Sequence, residues 1–90
     1  MPVIREQVAN ALQTKGIALG ELGRSDEQIA VCDELQRRFG DSEVPAIREQ
    51  VAVALRNKGT TLGQLDRIED AITVFDDLLR RFGDSDVPAI

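Results

Sequence analysis

The apolar residues Ile4, Val8, Ala11, Leu12, Leu19 and Leu22 recur at steps of three, four and seven, the spacing of one face of a helix. The pattern predicts a helix over about 3–22. Pro2 stands at its start, where a missing N–H costs nothing, and Gly23 at its end, where positive φ is wanted. A second helix is expected directly afterwards. Ser25 is its candidate N-cap, Asp26 and Glu27 suit the positive end of the helix dipole, and Ile29, Cys32, Leu35 and Phe39 form its buried stripe.

The same pattern then returns. Ile47, Val51, Ala54, Leu55, Leu62 and Leu65 repeat the first stripe, and Ile72, Phe75, Leu78 and Phe82, thickened by Leu79, repeat the second. Laid over each other without a gap, residues 4–46 and 47–89 agree at 27 of 43 positions. A repeat of this length marks a stacked array, in which each unit buries its apolar face only against its neighbours. Gly40-Asp41-Ser42-Glu43-Val44-Pro45 stops one unit and restarts the next. Strand-like alternation is absent. The expected fold is all-α: an α-solenoid of two helix-turn-helix repeats with four main helices, forming a single domain over 1–90.

Eight side chains are expected to be mostly buried: Leu12, Leu19, Leu35, Phe39, Leu55, Leu62, Phe75 and Leu78. Asp33 with Arg37, Glu34 with Arg38, Asp76 with Arg80 and Asp77 with Arg81 are acid-before-base pairs at i,i+4, expected on an exposed face. The two turns differ in quality. Gly23 and Ser25 of the first are replaced by Asp66 and Ile68 in the second. The folded-back form is expected there too, with one continuous helix over 60–82 and a domain-swapped dimer as the alternative.

Pro88 aligns with Pro2 and Pro45, and Val87-Pro88-Ala89-Ile90 matches the opening of a further copy. Arrays normally need three or more units. The expectation is a piece of a longer array, or a pair of units completed by another chain as a homodimer or by end-to-end stacking.

Composition narrows the function class. A formal net charge of −5 argues against nucleic acid, whose binding rests on Lys and Arg neutralising phosphates. The chain has no histidine, which removes Ser-His and Cys-His nucleophile pairs and the commonest metal ligand. The carboxylates obey the repeat, whereas a catalytic site usually breaks one. No enzyme activity, cofactor or metal is expected. Cys32, alone in its kind, occupies the place of Phe75 in the buried stripe and reads as a small hydrophobe. With no basic start leading into an apolar run and no stretch long enough to span a bilayer, no membrane association is expected, and a cytoplasmic location is the default.

Each unit resembles the tetratricopeptide repeat. Leu12, Lys15-Gly16, Leu19, Gly23 and Ile29 match the spacing of that family's signature, as do Leu55, Lys58-Gly59, Leu62, Ala71-Ile72 and Phe75. Gly16 and Gly59 match the small residue that lets the second helix approach the first. The family unit is about 34 residues; the extra length here falls mainly at the start of the first helix of each unit. Leu12 and Leu55 stand where the family prefers Trp, Leu19 and Leu62 where it prefers Tyr, Gln28 where it prefers Ala, and Gly40 and Gly83 where it prefers Pro. The resemblance is to a long-repeat subclass.

The resemblance implies a protein or peptide partner along the face made by the first helix of each unit. Those positions are Asn10, Gln13, Thr14, Ile17, Gly20 and Glu21, then Val53, Arg56, Asn57, Thr60, Gly63 and Gln64. Five of the six position pairs differ between the copies, while the scaffold repeats. That suits a surface read by a ligand, although any unconstrained face also diverges. Gly20 and Gly63 read either as close packing against a neighbouring helix or as bare backbone facing a groove. Arg56 with Asn57 resembles the carboxylate-gripping residues of some family members. The expected function is a non-enzymatic protein-interaction scaffold. The alternative is a structural self-association module whose main partner is another copy of itself.

Overall fold

The protein, seen in a computed structural model that describes residues 2–83, is built from four helices: α1 (Pro2–Glu21), α2 (Ser25–Phe39), α3 (Pro45–Gln64) and α4 (Ile68–Phe82). No strand occurs among the described residues. The segment Val87-Pro88-Ala89-Ile90, expected to open a further copy, lies outside them. α1 pairs with α2 and α3 with α4, and α3 also packs on both helices of the first pair. Among the described residues the α4 backbone comes close to neither α1 nor α2. The second pair thus meets the first chiefly through α3, an arrangement consistent with an α-solenoid.

Both turns fold back through the same hydrogen bonds. Gly23 N–H donates to the Gly20 carbonyl and Arg24 N–H to that of Leu19, while Asp66 and Arg67 donate to Gly63 and Leu62. This is the Schellman arrangement, which needs a left-handed residue just past the helix. Gly23 takes it with φ 76° and Asp66 with φ 67°. The continuous helix over 60–82 does not form. Ser25 is not the N-cap: Arg24 precedes the first residue of α2, Arg67 does so for α4, and no side chain caps either end. Instead each arginine pairs with an acid three residues on, Arg24 with Glu27 and Arg67 with Asp70. α3 begins cleanly, with Val44 extended and Pro45 at the start of the helix.

The core lies where the two pairs meet. Ala9, Cys32, Leu35, Phe39, Ile47, Val51, Ala54 and Leu55 are buried together. The extra length at the start of α1 and α3 reaches back over the end of the paired helix. The Arg5 guanidinium lies 5.9 Å from the Phe39 ring centroid and that of Arg48 4.9 Å from Phe82.

Equivalent positions differ in burial according to whether a neighbour covers them. Ile47 is 0% exposed where the two pairs meet, but Ile4 at the equivalent place in α1 is 64% exposed, with no helix covering it among the described residues. Leu12, Phe75 and Leu78 are half-buried, whereas Leu55 and Leu35 at the junction of the two pairs are fully covered. Ile72 at 52% and Leu79 at 66% line the outer face of α4, so the second stripe is apolar without being buried.

Two expected ion pairs are redirected, and in the second of them Arg80 meets Asp77 rather than Asp76. Asp33 bonds Lys58 Nζ at 2.5 Å, tying α2 to α3, rather than meeting Arg37. Glu34 takes both Arg37 and Arg38, and Asp77 takes both Arg80 and Arg81. Arg81 also donates to the Gly40 carbonyl at 2.7 Å, a second bond between the units.

Candidate partner-binding face

α1 and α3 lie side by side, so the positions that alternate with their buried stripes share one surface. None of the twelve candidate residues is buried. Asn10, Thr14, Ile17, Gly20, Glu21, Arg56, Thr60 and Gln64 are exposed, and Gln13, Val53, Asn57 and Gly63 are half-buried.

The structure brings six of them into one shallow cleft of about 260 Å³. Ile17, Gly20 and Glu21 of α1 face Asn57, Thr60 and Gln64 of α3, with Ser25, Gln28 and Thr61 completing the lining. Such a hollow is smaller than the pockets that enclose small molecules, about 300–1,000 Å³. Its chemistry is that of carboxamides and hydroxyls with a single carboxylate, groups that pair with the N–H and C=O of an extended chain. No cation lines it.

The other candidates are placed elsewhere. Val53 lines a separate cleft with Ala52, Arg48 and Phe82, on the open side of α3. Gln13 borders only a small void beside Cys32. Arg56 and Asn57 do not act as one grip, since Asn57 enters the polar cleft and Arg56 does not line it. The Arg56 carbonyl instead accepts from the Thr60 hydroxyl at 3.0 Å.

The glycines divide differently from the expectation. A Cβ on Gly63 would meet nothing within 4 Å, so packing does not require this glycine. At Gly20 it would meet only the flexible Gln28 amide, at 3.2 Å. Close packing is found one turn earlier, at Gly59, where a Cβ would lie 2.6 Å from the Phe75 ring. Gly16 has ordinary room, with Val31 at 3.6 Å.

Beneath the cleft, the Thr61 hydroxyl donates to the Gln28 side-chain carbonyl, and both side chains are buried. The sequence reading missed this pair, although a signal existed. Gln28 becomes Ala71 in the second unit and Thr61 is Ala18 in the first, so both partners change together. Cys32 is buried, and burial, aided by the Asp33 charge, pushes its thiol up to about 11. A nucleophilic thiolate is disfavoured there.

Among the described residues no group of three His, Cys, Asp or Glu side chains is placed to hold a metal ion, and no helix is long and apolar enough to cross a membrane. Comparison of the chain with protein-family models, with curated proteins and with solved structures finds no match.

Proposed function

We propose that this chain is a non-enzymatic protein-interaction scaffold that takes an extended peptide or protein segment along the face of α1 and α3. The observation that carries this reading is where the copies diverge. Ile17 against Thr60 and Glu21 against Gln64 are paired positions of the repeat, and all four side chains line the one polar cleft. A repeat constrained only by packing has no reason to gather its differences into a shared hollow. The likeness of each unit to the tetratricopeptide repeat belongs to the same proposal. Two antiparallel helix pairs and the Phe75 ring seated on Gly59 support it.

The cleft chemistry selects a segment bound through its backbone amides rather than through a terminal carboxylate. A displayed peptide library panned on the wild-type chain tests this. Peptides selected there lose binding to Asn57→Ala/Gln64→Ala, keep it with Arg56→Ala, and the variants melt as the parent does. Selected peptides that ignore the cleft substitutions overturn the proposal.

A further inference from the structure

We propose that the outer face of α4 and the outer face of α1 are complementary, so that copies of this chain join head to tail through a junction that repeats the one inside the chain. The internal junction supplies the template. α2 packs on α3 there, with Cys32, Leu35 and Phe39 against Ile47, Val51 and Ala54. One repeat further along, the corresponding residues are Phe75, Leu78 and Phe82 on α4, and Ile4, Val8 and Ala11 on α1. Within a single chain these are exposed or half-buried.

The polar contacts transfer as well. Asp33 and Lys58 form the internal ion pair at 2.5 Å, and their equivalents Asp76 and Lys15 bear the same charges on the two outer faces. The Gly40 carbonyl accepts from Arg81, and the equivalents are the Gly83 carbonyl and Arg38. One position pair differs: where the internal junction has the buried Gln28–Thr61 hydrogen bond, the repeat places Ala71, already buried within the chain, and the exposed Ala18. Alanine at these two positions strands no donor or acceptor when covered. The outer faces therefore match each other in charge and repeat the apolar residues of the internal junction.

This partner is a second copy of the chain, on a surface separate from the peptide cleft. The contact uses different patches on the two copies, so association continues beyond a dimer unless the rotation closes a ring. Sedimentation at rising concentration and low salt tests it. The weight-average mass of the wild type should climb past that of a dimer. Ile4→Asp, which alters an exposed side chain, should remain monomeric at every concentration with an unchanged melting curve. Lys15→Asp and Asp76→Lys should each weaken association about tenfold by opposing like charges, and mixing the two variants should restore it, because every junction between them again pairs opposite charges. A wild type that stays monomeric, a two-fold dimer that does not grow, an Ile4→Asp chain that assembles like its parent, or a mixture that fails to recover each overturns the proposal. Asn57→Ala/Gln64→Ala should leave the assembly intact, so failure of the peptide reading is seen separately.

Discussion

Thr61 and Gln28 are joined by a buried hydrogen bond that ties the end of α3 to the first turn of α2. Burying an amide or a hydroxyl without a partner costs about 1–3 kcal/mol, whereas a satisfied pair nets only about 1. Thr61→Ala and Gln28→Ala should therefore each destabilise the chain, Thr61→Ala by about 1–2 kcal/mol because it strands the larger polar group. The double variant Gln28→Ala/Thr61→Ala carries the alanines found at the equivalent repeat positions, Ala71 and Ala18, and should cost less than the two singles summed. Urea unfolding of the four proteins of this cycle measures the coupling. Strict additivity would show that the bond is energetically idle.

Gly59 and Gly63, one helical turn apart, should respond in opposite directions to the same change. A methyl group at Gly59 runs into the Phe75 ring, which sits on α4 and cannot withdraw without opening the α3–α4 packing. Gly59→Ala is expected to lose about 1–3 kcal/mol through overpacking. At Gly63 the space is open and the backbone helical, so Gly63→Ala should gain about 0.5–1 kcal/mol from helix propensity. For a domain of this size each kcal/mol moves the melting temperature by about 4–8 °C, so thermal scans resolve both.

The helix pattern was legible almost to the residue: a first helix expected over about 3–22 is observed as Pro2–Glu21. Periodicity reports which face of a helix is apolar. It does not report whether that face has a neighbour, which is why Leu12, Phe75 and Leu78 are less covered than Leu55 and Leu35 on the equivalent stripes. Local spacing likewise suggested Arg37 for Asp33, because i,i+4 geometry is visible in sequence while the approach of Lys58 on α3 depends on how the pairs stack. On the candidate face, Ile17, Glu21, Asn57, Thr60 and Gln64 converge as their common helical phase implies. Ser25 and Gln28 were missed there because they arrive from α2, whose rotation against α1 no single-helix pattern contains.

Cys32 should be inert in the folded chain. Its thiol is buried and pushed up to about 11, so a maleimide at pH 8 meets neither an accessible sulfur nor a thiolate. Labelling is expected only after unfolding. The same shift makes stability pH-dependent. An unfolded thiol ionises near pH 8.5–9 while the folded one keeps its proton, so the native state binds more protons and stability falls as pH rises from there to about 11. Cys32→Val removes that component of the alkaline loss. If parent and Cys32→Val lose stability identically between pH 8.5 and 10.5, the buried thiol is not its source.

Asp66 occupies the left-handed position that Gly23 fills in the first turn. A side chain there costs about 1–2 kcal/mol for an ordinary residue, and less for Asp. Glycine removes that strain but frees the unfolded chain, which takes back part of the gain. The balance predicts that Asp66→Gly stabilises by about 0.5–1 kcal/mol. The reverse change is cleaner: no atom lies within 4 Å of a Cβ at Gly23, so Gly23→Ala loses through backbone strain alone, by about 1 kcal/mol. The second turn is thus the weaker hinge, and opening it would carry Phe75 and Leu78 away from α3. Native-state hydrogen exchange of α4 reads that opening directly. Protection of α4 should rise in Asp66→Gly while that of α2 is unchanged, whereas an equal rise in both helices would mean that the turn acts only through global stability.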